Sequence, residues 1–283
     1  MKFSQAFALL IFSINISCDT NVASKEQVVK NFDDNIEDSL NSFWYTHQVA
    51  HPDRLQIVKD PDNSENDLLK VSLEPEDKVA KGNRSEIVFK PKDSFGYRNR
   101  YSFKFKFPKS FFKKQTTQGH ILLNQWHNVP YPGYNYGDQI VKVRVPFALM
   151  VEHQPDGTFK MILHYGLRVN TLNDMVWAVW PGELGPDVWY TFENEIFWSL
   201  YNDGYTKPKL NDICFEVKGE QRCNFEGANM YHILPHDYKM GLYWNGKQEN
   251  NIHIFYDDFK MTAERIGYFP PITKKDSIVN KKK

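Results

Sequence analysis

The sequence predicts an all-β fold, built as a sandwich or barrel, and three observations lead there. Stretches such as RYSFKFKF (100–107) and YTFENEIFWS (190–199) alternate apolar and polar residues with the period of two that a half-buried strand requires. Gly, Pro, Asp and Asn gather between such stretches, as in PDG at 155–157, PGELGPD at 181–187 and NDG at 202–204. Helical periodicity is limited to a short turn expected within 26–40. Many short strands at close spacing, punctuated by turns, read as a two-layer β domain.

The 283 residues fit one such domain, without an internal repeat or a second unit. Hydrophobic residues at 41% and aromatics at 15% supply a sizeable core and argue against disorder. The 35 basic and 35 acidic side chains cancel, so nothing in the overall charge suggests a nucleic-acid or membrane-surface binder.

The chain opens with MKFSQAFALLIFSINISCDTN, where Lys2, an apolar run from Phe7 to Ile16 and then Ser17 and Cys18 read as an export leader. The run is too short to span a bilayer. Cysteine directly after the apolar core resembles a bacterial lipoprotein site, with Cys18 lipidated and anchoring the chain to the outer membrane. Asn15 departs from the usual leucine there, and ordinary signal-peptide cleavage into the periplasm or medium is the alternative. The expected organisation is a leader over 1–18, an extension over 19–40, the β domain over 41–270 and a basic solvated tail over 271–283. The mature chain is expected to act as a monomer.

Within the domain, GNRSEIVF (82–89) places Arg84, Glu86 and Val88 on one face. RYSFKFKF places Tyr101, Phe103, Phe105 and Phe107 on the core side. LLNQWHNV (122–129) directs Gln125 and His127 one way, with Leu122, Asn124 and Trp126 the other. The segment NVPYPGYNYGDQ (128–139) reads as a loop, and its Tyr134 and Tyr136 suit sugar rings by stacking. VPFALMVEH (145–153) and FKMILHYGLRV (159–169) are further strands, the second bringing His164 and Arg168 to one face. In ICFEVKGEQRCNF two β-rich pieces flank a turn at KGEQ, so Cys214 and Cys223 can face each other and form a disulfide after export. DYKMGLYWN (237–245) sets Lys239, Gly241, Tyr243 and Asn245 against Tyr238, Met240, Leu242 and Trp244. IHIFYDDFKMT (252–262) is the last strand signal.

Three of these strands thus carry apolar residues on one side and Arg, Glu, Gln, His, Lys, Tyr and Asn on the other, which describes a polar groove on one face of a sheet. Their motifs R-S-E, Q-W-H and Y-K-M-G-L-Y resemble the signature strands of jelly-roll polysaccharide lyases. The heparin lyase I and glucuronan lyase group is the nearest, and jelly-roll alginate lyases carry related elements. WYTFENEIFWS and FYDDF are similar to later strands of the first group, so the resemblance runs from about Asn83 to Phe259. It implies a β-jelly-roll sandwich of two antiparallel sheets with a concave substrate groove, and an anionic polysaccharide as substrate.

Such lyases cleave a uronic-acid chain by β-elimination, and that chemistry accounts for the residue types. The C5 proton beside an ionised carboxylate is very weakly acidic, so the site must neutralise that carboxylate and stabilise the enolate-like charge. Arg84 offers a cationic fork and Gln125 an amide donor for it, while Lys239 is expected, like Arg84, as a cation close enough to lower the pKa of Tyr243. His127 is a natural general base, with an ordinary pKa near 6.5. Tyr243 can protonate the departing O4, or act as the base if a neighbouring cation lowers its pKa from about 10. Glu86 is expected to hold Arg84, while Asn245, Arg168, His164, Tyr134 and Tyr136 are expected to line the groove.

Two other classes compete. A hydrolase on the same fold needs two carboxylates across the scissile bond; Glu193 and Glu195 share a strand face, but the E-x-D-x-x-E spacing typical of jelly-roll endoglucanases is absent. A glycan-binding surface protein would keep the aromatics but need no His–Tyr–Arg–Gln set. The elimination requires no metal; a structural calcium ion near Asp257 and Asp258 is the one cofactor left open.

Overall fold

A computed structural model describes residues 25–29, 44–80, 82–89, 94–113, 119–129, 145–166, 175–230, 233–246 and 249–266. The leader with Cys18, the loop tyrosines Tyr134 and Tyr136, Arg168 and the basic tail lie outside the described residues, as does the side chain of Asn245. The strands of the first half are β1 Lys25–Val29, β2 Trp44–Gln48, β3 Leu55–Asp60, β4 Asn63–Leu73, β5 Lys78–Val79, β6 Gly82–Phe89, β7 Tyr97–Lys106, β8 His120–Asn128 and β9 Phe147–His153. Those of the second half are β10 Phe159–Gly166, β11 Met175–Val179, β12 Trp189–Phe197, β13 Tyr205–Leu210, β14 Ile213–Val217, β15 Glu220–Arg222, β16 Phe225–Glu226, β17 His236–Asn245 and β18 Ile252–Arg265. The protein is all-β, a jelly-roll sandwich whose pairings among the described strands are antiparallel.

One sheet runs β6–β17–β8–β9–β10–β11–β14–β15, with β2 and β5 side by side on the outer edge of β6. The other runs β3–β4–β18–β7–β12–β13–β16, and β1 pairs with the far half of β18. Strand β14 also pairs with β13, so it ties the two sheets together along one edge. The three motif-bearing strands, distant in sequence, are therefore immediate neighbours: β17 lies between β6 and β8.

The alternation read from the sequence builds the core. Tyr101, Phe103, Phe105 and Phe107 from β7 and its end are buried against Phe192 and Ile196 of β12 and against the inward side of the facing sheet. Across the sandwich Tyr101 stacks on Tyr238 with ring centroids 5.0 Å apart, and meets the edge of Trp126 at the same distance. Burying side chains of this size contributes roughly 1.5–3 kcal/mol each, so this interior holds the sheets at fixed spacing beneath the groove.

Two expectations change. Residues 26–29, where the segment expected to hold a turn of helix begins, are part of strand β1, paired along β18, and 30–40 lie outside the described residues. In β8 the simple alternation breaks: Leu123 and Asn124 are consecutive residues on the core side, and the register with both β9 and β17 shifts there. This β-bulge turns Leu122 to the groove face, where it clusters with Ala148, Met150 and Ile162, and not to the side of Trp126. The bulge leaves Gln125 and His127 where the alternation put them. The turn within KGEQ narrows to Lys218 and Gly219, both with positive φ (52° and 81°), as a two-residue hairpin of this twist requires. The sulfur atoms of Cys214 and Cys223 are bonded across that hairpin.

Candidate active site

The ladder between β6, β17 and β8 sets the geometry. Tyr243 lies opposite Arg84, Gly241 opposite Glu86, Lys239 opposite Gln125 and Asp237 opposite His127. Directly paired residues point to the same face of a sheet, so these side chains converge on the groove.

Glu86 is the hub. It is buried at 1% exposure, and its Oε2 lies 3.2 Å from Arg84 Nη1 while its Oε1 accepts from Gln125 Nε2 at 2.5 Å. The Arg84 guanidinium also donates to Gln48 Oε1 at 3.1 Å and lies over the Tyr243 ring, with Cζ 4.1 Å from its centroid. Gln48, from β2, reaches the cluster from the sheet edge and accepts from Lys239 Nζ at 3.3 Å as well. Gly82 leaves room for the Arg84–Tyr243 stack, because a Cβ there would sit 2.7 Å from Tyr243 Cε2 and 2.8 Å from Arg84 Nη2.

Lys239 is 5% exposed, and its hydrogen-bond partner among the described residues is the neutral amide oxygen of Gln48. Burial pushes its pKa down from the ordinary lysine value; Glu86 opposes that shift and Arg84 adds to it. The carboxyl of Asp237 moves the other way, raised by burial against the pull of Lys239.

His127 Nδ1 lies 2.9 Å from the backbone oxygen of Asn128. A carbonyl only accepts, so Nδ1 carries the proton and Nε2 presents the lone pair. Burial lowers the His127 pKa to about 4, with Lys239 and Arg84 adding to the shift against that backbone hydrogen bond. The ring is a neutral proton acceptor at physiological pH. This has a consequence for stability. An unfolded histidine titrates near 6.5, so between pH 6.5 and 4 the unfolded chain binds more protons and stability falls as pH drops. The expected contribution is about 3 kcal/mol over the full interval, and none above it. His127→Asn, which can still donate to Asn128, should lose less stability than the wild type when urea unfolding is compared at pH 7 and pH 4.5. Equal acid losses in both proteins would put the effect on other groups.

Further along the same face, His164 of β10 pairs with Ala148 of β9, which pairs with Gln125, so His164 stands in one row with Gln125 and Lys239. Glu193 and Glu195 lie on the outer side of the other sheet. Glu195 there is bound by Arg100 at 2.6 Å, Lys207 at 3.1 Å and the Tyr205 hydroxyl at 2.9 Å, so the pair cannot flank a sugar in the groove. Asp258 meets Lys104 Nζ at 2.7 Å, and Asp257 accepts from Asn66 at 3.0 Å. An ammonium in contact with Asp258 is a poor start for a calcium cage, and among the described residues no group of three or more His, Cys, Asp or Glu could hold a metal ion. Sequence reasoning missed Gln48, because WYTHQ is too short a run to show which edge it joins.

Residues 37–260 match the sequence family described as polysaccharide lyase. The chain belongs to that family. An endo-β-1,4-glucuronan lyase from the fungus Trichoderma reesei matches this lyase with a TM-score of 0.58 at 16% identity, over 78% of this chain and 91% of that one. Alginate lyase Aly36B matches with a TM-score of 0.56 at 12% identity, over 83% of this chain and 96% of that one. At such identities the likeness is one of fold, the jelly roll. No curated protein sequence matches this one. The enzyme is thus a polysaccharide lyase, with the Arg84–Glu86, Gln125–His127 and Lys239–Tyr243 strands side by side on one sheet.

Proposed function

We propose that the lyase cleaves a uronic-acid polymer by β-elimination at the cluster of Arg84, Gln125, His127, Lys239 and Tyr243. The observation that carries this reading is the buried Lys239 ammonium, which among the described residues donates only to the neutral amide of Gln48 and feels Glu86 and Asp237 at longer range. A buried charge without a contacting counter-ion is costly, and a substrate carboxylate would supply that counter-ion. Arg84 and the amide of Gln125 lie beside it, already oriented by Glu86.

With the carboxylate neutralised, the C5 proton passes to the His127 Nε2 lone pair or to the Tyr243 oxygen. The C5–H electron pair forms the C4=C5 double bond, the C4–O4 bond breaks, and O4 takes a proton from Tyr243. Where the C5 proton and O4 are syn, as in glucuronate and mannuronate, tyrosine can serve both steps. Where they are anti, as in iduronate and guluronate, the work divides between histidine and tyrosine. The leader and Cys18 support export with a lipid anchor, and the Cys214–Cys223 bond suits an oxidising compartment.

The test is ultraviolet absorbance of the conjugated C4=C5 bond when the mature protein is mixed with glucuronan, alginates and heparinoids. Absorbance rising with one polymer supports elimination and names its substrate, whereas depolymerisation without absorbance removes it. The Lys239 role adds a pH signature. Its lowered pKa should bring the alkaline limb of kcat/KM below the range of an ordinary lysine. Lys239→Arg, charged at every accessible pH, should move that limb upward while raising KM. A limb unmoved in that variant would assign it to another group.

A further inference from the structure

Among the described side chains of the sheet that carries the site, Trp177 is the most exposed large aromatic, at 45%. It sits on β11 directly opposite His164, and the pairings continue through Ala148 to Gln125 and Lys239, so Trp177 ends the row that begins in the catalytic cluster. Its indole is not loose. It stacks on the His164 ring with centroids 4.8 Å apart and planes at 23°, and the His120 ring lies 5.5 Å away, tilted by 38°. His164 is steadied in turn, with Nε2 3.3 Å from Met175 Sδ. Between this group and the cluster, the groove face is apolar: Leu122, Ala148, Met150 and Ile162 pack together, and Tyr243 packs against them. At the usual strand spacing the backbone of Trp177 lies roughly 14 Å from that of Gln125 and roughly 19 Å from that of Lys239 across the sheet, a span of a few sugar units.

We propose that Trp177, backed by His164 and flanked by His120, is a distal platform that stacks the apolar face of a pyranose ring of the polymer. This rests on the proposed uronate-polymer reading and adds to it where the chain lies: across the strands, from the Lys239–Gln125 cluster to β11. A rigid, half-exposed indole costs little conformational freedom to bind with, which suits a sugar face that offers only C–H groups. The platform also implies a preference for long substrates, because a short oligosaccharide held at the cluster does not reach it.

The test compares the wild type with Trp177→Ala and Trp177→Phe, each checked for an unchanged melting temperature. One readout is retardation of the protein in native gels containing a uronate polymer, which needs no turnover. The other is kcat/KM on polymer against kcat/KM on a trisaccharide, by absorbance. Trp177→Ala is expected to raise KM on polymer about five- to tenfold and to weaken retardation by a similar factor, with most of both recovered in Trp177→Phe. The ratio of polymer to trisaccharide efficiency should fall about fivefold. If elimination occurs but Trp177→Ala leaves KM and retardation unchanged, the platform is wrong and the catalytic reading stands. If no polymer is eliminated yet retardation depends on an aromatic at 177, the platform stands and the elimination reading falls. Loss of self-association in Trp177→Ala without a change in polymer binding would make the indole a contact between copies and overturn the platform. Absence of retardation of the wild type by every uronate polymer overturns both readings.

Discussion

Tyr243→Phe is expected to lower kcat for unsaturated-product formation by about 10²–10⁴-fold, the range for removing a positioned proton donor, with little change in KM. The ring has its own reasons to stay where it is. Arg84 lies over one face, the Leu122–Met150–Ile162 cluster packs beside it, and Gly82 leaves the space it occupies. Phenylalanine keeps all of those contacts. The hydroxyl makes no hydrogen bond among the described residues, so its deletion strands no partner among them and the melting temperature should be unchanged. Steady-state absorbance kinetics on the polymer that responds, with melting temperature as the control, give the answer. Retention of activity within about tenfold would take Tyr243 out of proton transfer and leave His127 or water to serve O4.

The combination of a polar site and an apolar core on one strand is also why so much was legible beforehand. In β6 and β17 the period of two is intact along the residues that matter, so the sequence alone puts Arg84 with Glu86, and Lys239 with Tyr243, on one face. The same rule placed Tyr101, Phe103, Phe105 and Phe107 inside. It failed where the backbone breaks step. The bulge at Leu123–Asn124 returned Leu122 to the groove, and a second irregularity in β18, with Asp258 at φ 51°, switches the inward set from Ile254 and Tyr256 to Phe259 and Met261. Neither position carries a glycine or proline to announce it. Partners from remote strands were equally silent: Gln48 enters because β2 pairs with β6. Trp177 lies in MVWAVW, a run apolar enough to read as buried, and only the row through His164 shows that it faces the groove.

Bulge and site are joined at Gly241, and Gly241→Ala is expected to be the most damaging single change. Gly241 has φ +146°, which an L side chain rarely adopts, and a Cβ there would lie 2.2 Å from the backbone oxygen of Ser85 and 2.9 Å from Glu86 Cα. Both obstacles are backbone of β6, so no rotamer change relieves them; β6 and β17 would have to part where Glu86 is paired. The close approach is held from below. The Tyr256 hydroxyl, buried in the facing sheet, lies 2.8 Å from the Gly241 oxygen and 2.9 Å from the Leu123 oxygen, at the irregular stretch where β17 and β8 lose register. Backbone strain and overpacking together predict a loss of roughly 3–5 kcal/mol. For a domain of this size that is a fall in melting temperature of about 6–20 °C, and a large part of the whole stability. Differential scanning fluorimetry of Gly241→Ala beside the wild type measures it directly. A variant melting within about 3 °C of the wild type would mean that β6 and β17 separate at little cost. In that case the Glu86-centred arrangement of Arg84, Gln125 and Lys239 would not be the rigid preorganised site on which the elimination depends.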